Sequence, residues 1–133
     1  FNPKGVPALY ASLSIMTALR EANQVGNLQP TTIVSYDAQI EMIFDCRDEL
    51  ALKAMGSDAV RLGHDGWREQ IRLKGEAETQ IFARRLIADG YSGLLVRSFA
   101  KGASQDDLNL VLWRWSSSSP SRLTLIDDEH RLS

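Results

Sequence analysis

The apolar pattern of the chain breaks into short runs, most of them of strand length, with helical spacing at a few places. Val6 to Leu13 is apolar, contains an aromatic and opens near Pro7, which predicts a short buried strand. Ser14 follows at an N-cap position, ahead of a helix over Ile15 to Ala22. Ile15, Leu19 and Ala22 recur there at i, i+4 and i+7, so they share one face. Glu21 stands about 200° around the helix from Leu19 and is expected at a cleft on the edge of that stripe.

Gly26 to Pro30 is a turn-rich break. Thr31 to Tyr36 and Ile40 to Phe44 predict two strands, or one long strand with a bulge around Asp37 and Ala38. Asp48 to Met55 predicts a short helix closed by Gly56. Ser57 to Gly75 has weak periodicity and reads as loop, with a turn of helix near Trp67. Thr79 to Ala88 is the clearest helix, with Ile81, Phe82 and Leu86 on one side and Gly90 as its stop. Strands are expected over Tyr91 to Val96, Leu108 to Trp115 and Arg122 to Ile126. Polar linkers separate them at Lys101 to Asp107 and Ser116 to Pro120. Trp113 and Trp115 share one strand face and are assigned to packing. Strands outnumber helices without regular βαβ alternation, so the class is α+β with mixed or antiparallel sheets.

Length and composition narrow this further. At 133 residues the chain fits a single domain over 1–133 that can fold without a metal or a disulfide. Its one cysteine, Cys46, excludes an internal disulfide and fits a cytoplasmic setting. The formal charge of −2, with both signs interspersed, argues against nucleic acid as the direct partner. No apolar run approaches the ~20 residues of a membrane span. The sequence begins with Phe rather than Met, and a short N-terminal segment is expected to precede it.

Familiar catalytic signatures are missing: no phosphate-binding glycine loop, no G-x-G-x-x-G, no H-E-x-x-H and no G-x-S-x-G. His64 and His130 fall in a glycine-rich loop and the tail and read as solvated surface. Cys46 reads as a buried, inert thiol. The first residues carry more. Phe1-Asn2-Pro3-Lys4-Gly5 sets a cation and an amide before a strand in which Tyr10 and Ser12 point to the same face. With Glu21 on the next helix, a lysine, a phenol, a hydroxyl and a carboxylate converge on one strand–helix unit. Taken singly, a strand tyrosine is usually core and an exposed helical glutamate usually a solvated charge. Their order together is what favours a site.

That order resembles the RES domain of bacterial toxin–antitoxin pairs. Its opening motif is matched by Phe1-Asn2-Pro3-Lys4-Gly5, by Ala8-Leu9-Tyr10 and by the run from Ser14 through Ala18-Leu19-Arg20-Glu21. A later block is matched by Thr79-Gln80, by Gly93 to Ser98 and by Asn109 to Trp113. The family pattern has an arginine directly before Phe1, which this sequence does not contain.

The resemblance implies a fold similar to ADP-ribosyltransferase toxins and an enzyme that consumes NAD+ as its substrate, with no metal. It implies ADP-ribosyl transfer to a cellular protein through an oxocarbenium-like state. The alternatives are breakdown of NAD+ by water or phosphate, and a binding module that has lost catalysis. Glu21, Tyr10 and Ser98 are the implied catalytic residues, with Asn2, Lys4, Tyr10, Ser12, Ser98 and Asn109 holding NAD+. Arg97 is left out, because a continuing strand would turn it away from Ser98. The implied partner is a cognate antitoxin of the helix-turn-helix (Xre) type that covers the NAD+ site, beside any protein that accepts ADP-ribose.

Overall fold

The computed structural model describes residues 1–22, 32–63, 66–100 and 102–127. The readings of His64 and His130, the turn expected over Gly26 to Pro30, the first residue of the strand expected from Thr31 and the first of the linker expected from Lys101 lie outside them. The elements in chain order are β1 (Leu9–Ser12), α1 (Ile15–Ala22), β2 (Ser35–Ile40), β3 (Ile43–Asp45), α2 (Glu49–Ala54), α3 (Ala59–Leu62), α4 (Trp67–Lys74), α5 (Glu78–Ala88), β4 (Gly93–Arg97), β5 (Leu108–Leu112) and β6 (Ser121–Ile126). A four-stranded sheet has the order β1-β5-β4-β3, and β2 pairs with β6 in a separate ribbon. All pairs are antiparallel except β3 with β4. A parallel pair needs a long crossover, and α2 to α5 provide it. The fold is therefore α+β with mixed sheets, as the pattern predicts. Among the described residues no helix is long and apolar enough to cross a membrane.

One face of the larger sheet carries the core. Phe44, Leu94 and Val111 are direct cross-strand neighbours on it, and all three are buried. Leu52, Leu62, Phe82, Ala83 and Leu86 pack with them from α2, α3 and α5. Phe44 also meets Phe82 and Tyr91 edge-on, with ring centroids 5.7 and 5.5 Å away. Toward β1 the same face turns polar: Tyr10 lies opposite Val111, and Ser12 lies opposite Asn109. The site lies on this polar end of the face.

Gly93 lets β4 sit against β5. A Cβ there would lie 2.2 Å from the carbonyl oxygen of Val111, so the position cannot take a side chain without moving backbone.

Several elements depart from the pattern. Ser57 to Gly75 holds more helix than the loop expected there: α3, and α4, which starts at Trp67 where a turn of helix is expected and runs for two turns. Asp58 caps α3 by accepting the Arg61 N–H at 2.8 Å, and Gly75, at φ 81°, closes α4 in the left-handed conformation. Asp37 and Ala38 pair regularly with β6, and the chain breaks instead at Glu41 and Met42, where Met42 has φ 59°. Ile81 faces outward, while Phe82, Ala83 and Leu86 form the buried side of α5. β5 stops at Leu112, so Trp113 is buried as expected but Trp115 is exposed. The stripe of α1 is not its core face: Ile15 is 61% exposed, and the only fully buried residue of that helix is Thr17. Cys46 is buried as expected, and desolvation, with a smaller contribution from the Asp45 charge, pushes its thiol up to about 12.

Candidate active site

The site begins with Ser14, whose hydroxyl accepts the Thr17 N–H at 3.1 Å and starts α1 where the sequence expects it. Two turns later Glu21 reaches the polar end of the sheet face. Its Oε1 accepts hydrogen bonds from the Ser98 hydroxyl and, at 2.5 Å, from the Asn109 Nδ2. The Asn109 amide is fixed at its other end, where Oδ1 accepts from the Ser12 hydroxyl at 2.7 Å. Ser98, just past β4, and Asn109 on β5 thus meet on one carboxylate oxygen of α1, with Ser12 of β1 holding Asn109 in turn. Both donors are neutral, so they orient the carboxylate without forming an ion pair with it.

Tyr10 donates its hydroxyl to the Asn2 Oδ1 at 2.9 Å. Partial desolvation holds its phenol above the ordinary value, although about half of the side chain is exposed. The Asn2 backbone is tied from the other side: its carbonyl accepts from the Gln80 Nε2 at 3.2 Å. The Gln80 Oε1 in turn accepts the Ala77 N–H at 2.9 Å, satisfying an otherwise orphan donor at the start of α5. The Trp113 indole donates to the Phe1 carbonyl at 3.0 Å, which adds a third tie to this segment.

A cleft of about 410 Å³ opens over these groups. Asn2, Tyr10, Glu21 and Asn109 form its polar wall, and Trp67, Ile71 and Phe99 contribute an apolar one. A volume of this order suits a small-molecule site. A groove of about 570 Å³ runs along the other side of α1 toward β2. Tyr10, Glu21 and Asn109 belong to both, so they form a shared wall between the two compartments. A further hollow of about 670 Å³, near Met42, Arg114 and Trp115, contains none of the residues that converge on Glu21.

The expected residues are distributed unevenly over this geometry. Asn2, Tyr10, Glu21 and Asn109 line the cleft together. Ser98 is buried behind Glu21, and Ser12 reaches the groove rather than the cleft. Lys4 is exposed on the turn before Gly5 and is not among the residues lining either compartment. Arg97, the last residue of β4 and still paired with Leu108, also contributes to the lining of the cleft. Among the described residues that line the cleft, Glu21 and Arg97 carry the only charged side chains. The signal that would have found Arg97 is its place at the last strand position before a loop. Trp67 and Ile71 were legible too, as an i, i+4 apolar pair within an otherwise polar stretch.

Among the described residues no three histidine, cysteine or acidic side chains come together in a way that could hold a metal ion. The cleft offers instead one anionic group, one cationic group, amide and hydroxyl donors and aromatic surface. This combination suits a ligand that carries a positive centre, an anionic group and flat rings.

No curated protein and no solved structure matches the chain. The RES domain family model matches residues 1–132, nearly the whole sequence and both blocks that build this site. The chain therefore belongs to the RES domain family, a family of NAD+-acting toxin domains.

Proposed function

We propose that this protein transfers ADP-ribose from NAD+ to a cellular protein. The observation that carries this reading is the shared wall of Tyr10, Glu21 and Asn109 between a cleft sized for part of a dinucleotide and a second, open groove. A donor in the cleft and an acceptor in the groove would meet at the same carboxylate. In the reaction the bond from ribose C1′ to the nicotinamide nitrogen breaks, and its electron pair leaves with neutral nicotinamide. The oxocarbenium-like ribose that develops is countered by Glu21, as a carboxylate does in glycoside hydrolysis. A nucleophile of the acceptor then bonds to C1′ and loses its proton.

The chain's own residues supply orientation and charge. Ser98 and Asn109 hold Glu21, and Tyr10 and Asn2 present a hydroxyl and an amide to the ribose side of the cleft. Arg97 is placed to take the pyrophosphate, a role in which a guanidinium matches phosphate oxygens. Arg97→Ala should raise KM for NAD+ about tenfold and leave kcat nearly unchanged, because its interaction is the same in ground and transition states. Steady-state kinetics of nicotinamide release measure this; an unchanged KM removes Arg97 from the site.

The groove also suits the partner proposed for the family, a cognate antitoxin of the helix-turn-helix type. Leu13, Ile15, Met16 and Tyr36 leave apolar surface exposed in and beside it. A chain laid there would cover Glu21 from the acceptor side.

Incubation with NAD+ labelled in the adenylate half and a cell lysate tests the reaction. A labelled protein band is the expected result. Free ADP-ribose or its phosphorylated form without a band would replace transfer by hydrolysis or phosphorolysis. No loss of NAD+ would leave a binding module.

A further inference from the structure

The helix that carries Glu21 lacks the usual anchor. Its Ile15 and Met16 are exposed, and its one fully buried residue is a threonine. Helices of this length are ordinarily held by an apolar face, and an isolated eight-residue helix is unstable in water. What holds α1 is polar. The Thr17 hydroxyl donates to the Asp107 Oδ1 at 2.6 Å, and the Arg20 Nη1 lies 2.7 Å from both oxygens of the same carboxylate. Asp107 is buried, and it also accepts the Ser104 N–H at 2.7 Å through Oδ2.

Asp107 connects to the rest of the site as well. Its backbone carbonyl accepts the Ser98 N–H at 2.8 Å, closing the loop between β4 and β5. It stands two residues before Asn109 and next to the first residue of β5. One residue thus ties the helix bearing Glu21 to the strand that carries Asn109 and, through its backbone carbonyl, to Ser98. Thr17 and Arg20 lie four residues and one residue before Glu21, so the tie acts on the same turn of α1.

We infer that Asp107 is a positioning residue for the reaction proposed above: it sets the distance between Glu21 and the Ser98–Asn109 pair. It lines neither the cleft nor the groove. Its hydrogen bonds from Thr17 and Ser104, together with the Arg20 charge, hold its carboxyl below the ordinary range, so it is ionised throughout the neutral region.

The test compares Asp107→Asn and Arg20→Met in the otherwise unchanged chain and in a Glu21→Gln background. Single-turnover release of nicotinamide, NAD+ affinity and Tm are measured for each. With Glu21 present, both variants should lower the rate on the order of 10- to 100-fold, the scale of a misplaced catalytic group. NAD+ affinity should change less than about threefold, since the cleft's binding groups are untouched. In the Glu21→Gln background the same variants should cost no further rate, while their effect on Tm persists. Equal fold losses in both backgrounds would show a general structural role and overturn the inference, as would an unchanged rate.

Hydrogen exchange gives a readout independent of turnover. Asp107→Asn should speed exchange of α1 amides and of the 98–107 loop and leave α5 unchanged. Unaltered exchange in α1 overturns the inference even if NAD+ is not the substrate. A wild-type chain that does not consume NAD+ refutes the proposed reaction and leaves this exchange result to decide the anchoring of α1.

Discussion

Glu21→Gln should lower the rate of NAD+ consumption on the order of 10²- to 10³-fold without unfolding the protein. The amide keeps an oxygen that can accept from Ser98 and Asn109, so the local hydrogen bonds can persist. What disappears is the negative charge that the proposed reaction sets beside the ribose. A preorganised charge aimed at a developing cation acts mainly in the transition state, so the loss should fall on kcat rather than on KM. Release of nicotinamide, followed with Tm and NAD+ affinity on the same preparation, measures the three quantities separately. Turnover within a few-fold of the unsubstituted chain would remove Glu21 from the reaction.

Gly93→Ala should be the most damaging small substitution in the sheet. The added methyl would fall 2.2 Å from the Val111 carbonyl oxygen and 2.9 Å from a methyl of Leu112. The first contact is with backbone, which no rotamer change relieves. β4 is flanked on both sides, paired with Ile43 across one edge and with Leu112 across the other at Gly93 itself. Moving it away from β5 would therefore disturb β3 as well. Overpacking of this kind costs about 1–3 kcal/mol. A lower urea midpoint at constant m would show it. Because β4 also ends in Arg97 and leads into Ser98, weaker NAD+ turnover should accompany the loss of stability. A midpoint equal to that of the unsubstituted chain would mean the sheet relaxes at no cost.

Much of this site was legible in the residues. The cap at Ser14, the extent of α1 and the shared face of Tyr10 and Ser12 follow from local rules, because each depends on neighbours a few positions away. Helix α2 and its stop at Gly56 follow likewise. The convergence of Glu21, Ser98 and Asn109 was indicated by the family's motif order rather than by periodicity, since 77 and 88 residues separate the pairs.

Other features depend on tertiary context. Ile15, Leu19 and Ala22 share a face of α1, yet Ile15 is exposed and a buried carboxylate from 90 residues downstream anchors Thr17. No local pattern announces such a tie, because Asp107 in sequence looks like any loop aspartate. That Arg97 borders the cleft depends on how β4 meets the loop after it, which strand alternation alone does not show. Helices α3 and α4 were obscured by the glycines and charges around them, although Leu62 is buried in the core and Ile71 lines the cleft.

The common wall of Tyr10, Glu21 and Asn109 also constrains kinetic order. If the proposed transfer uses the cleft for the donor and the groove for the acceptor, both could be bound at the same moment, and neither would have to leave before the other enters. The proposed transfer would then proceed through a ternary complex, giving intersecting rather than parallel double-reciprocal lines. No side chain of the protein needs to carry ADP-ribose between the two.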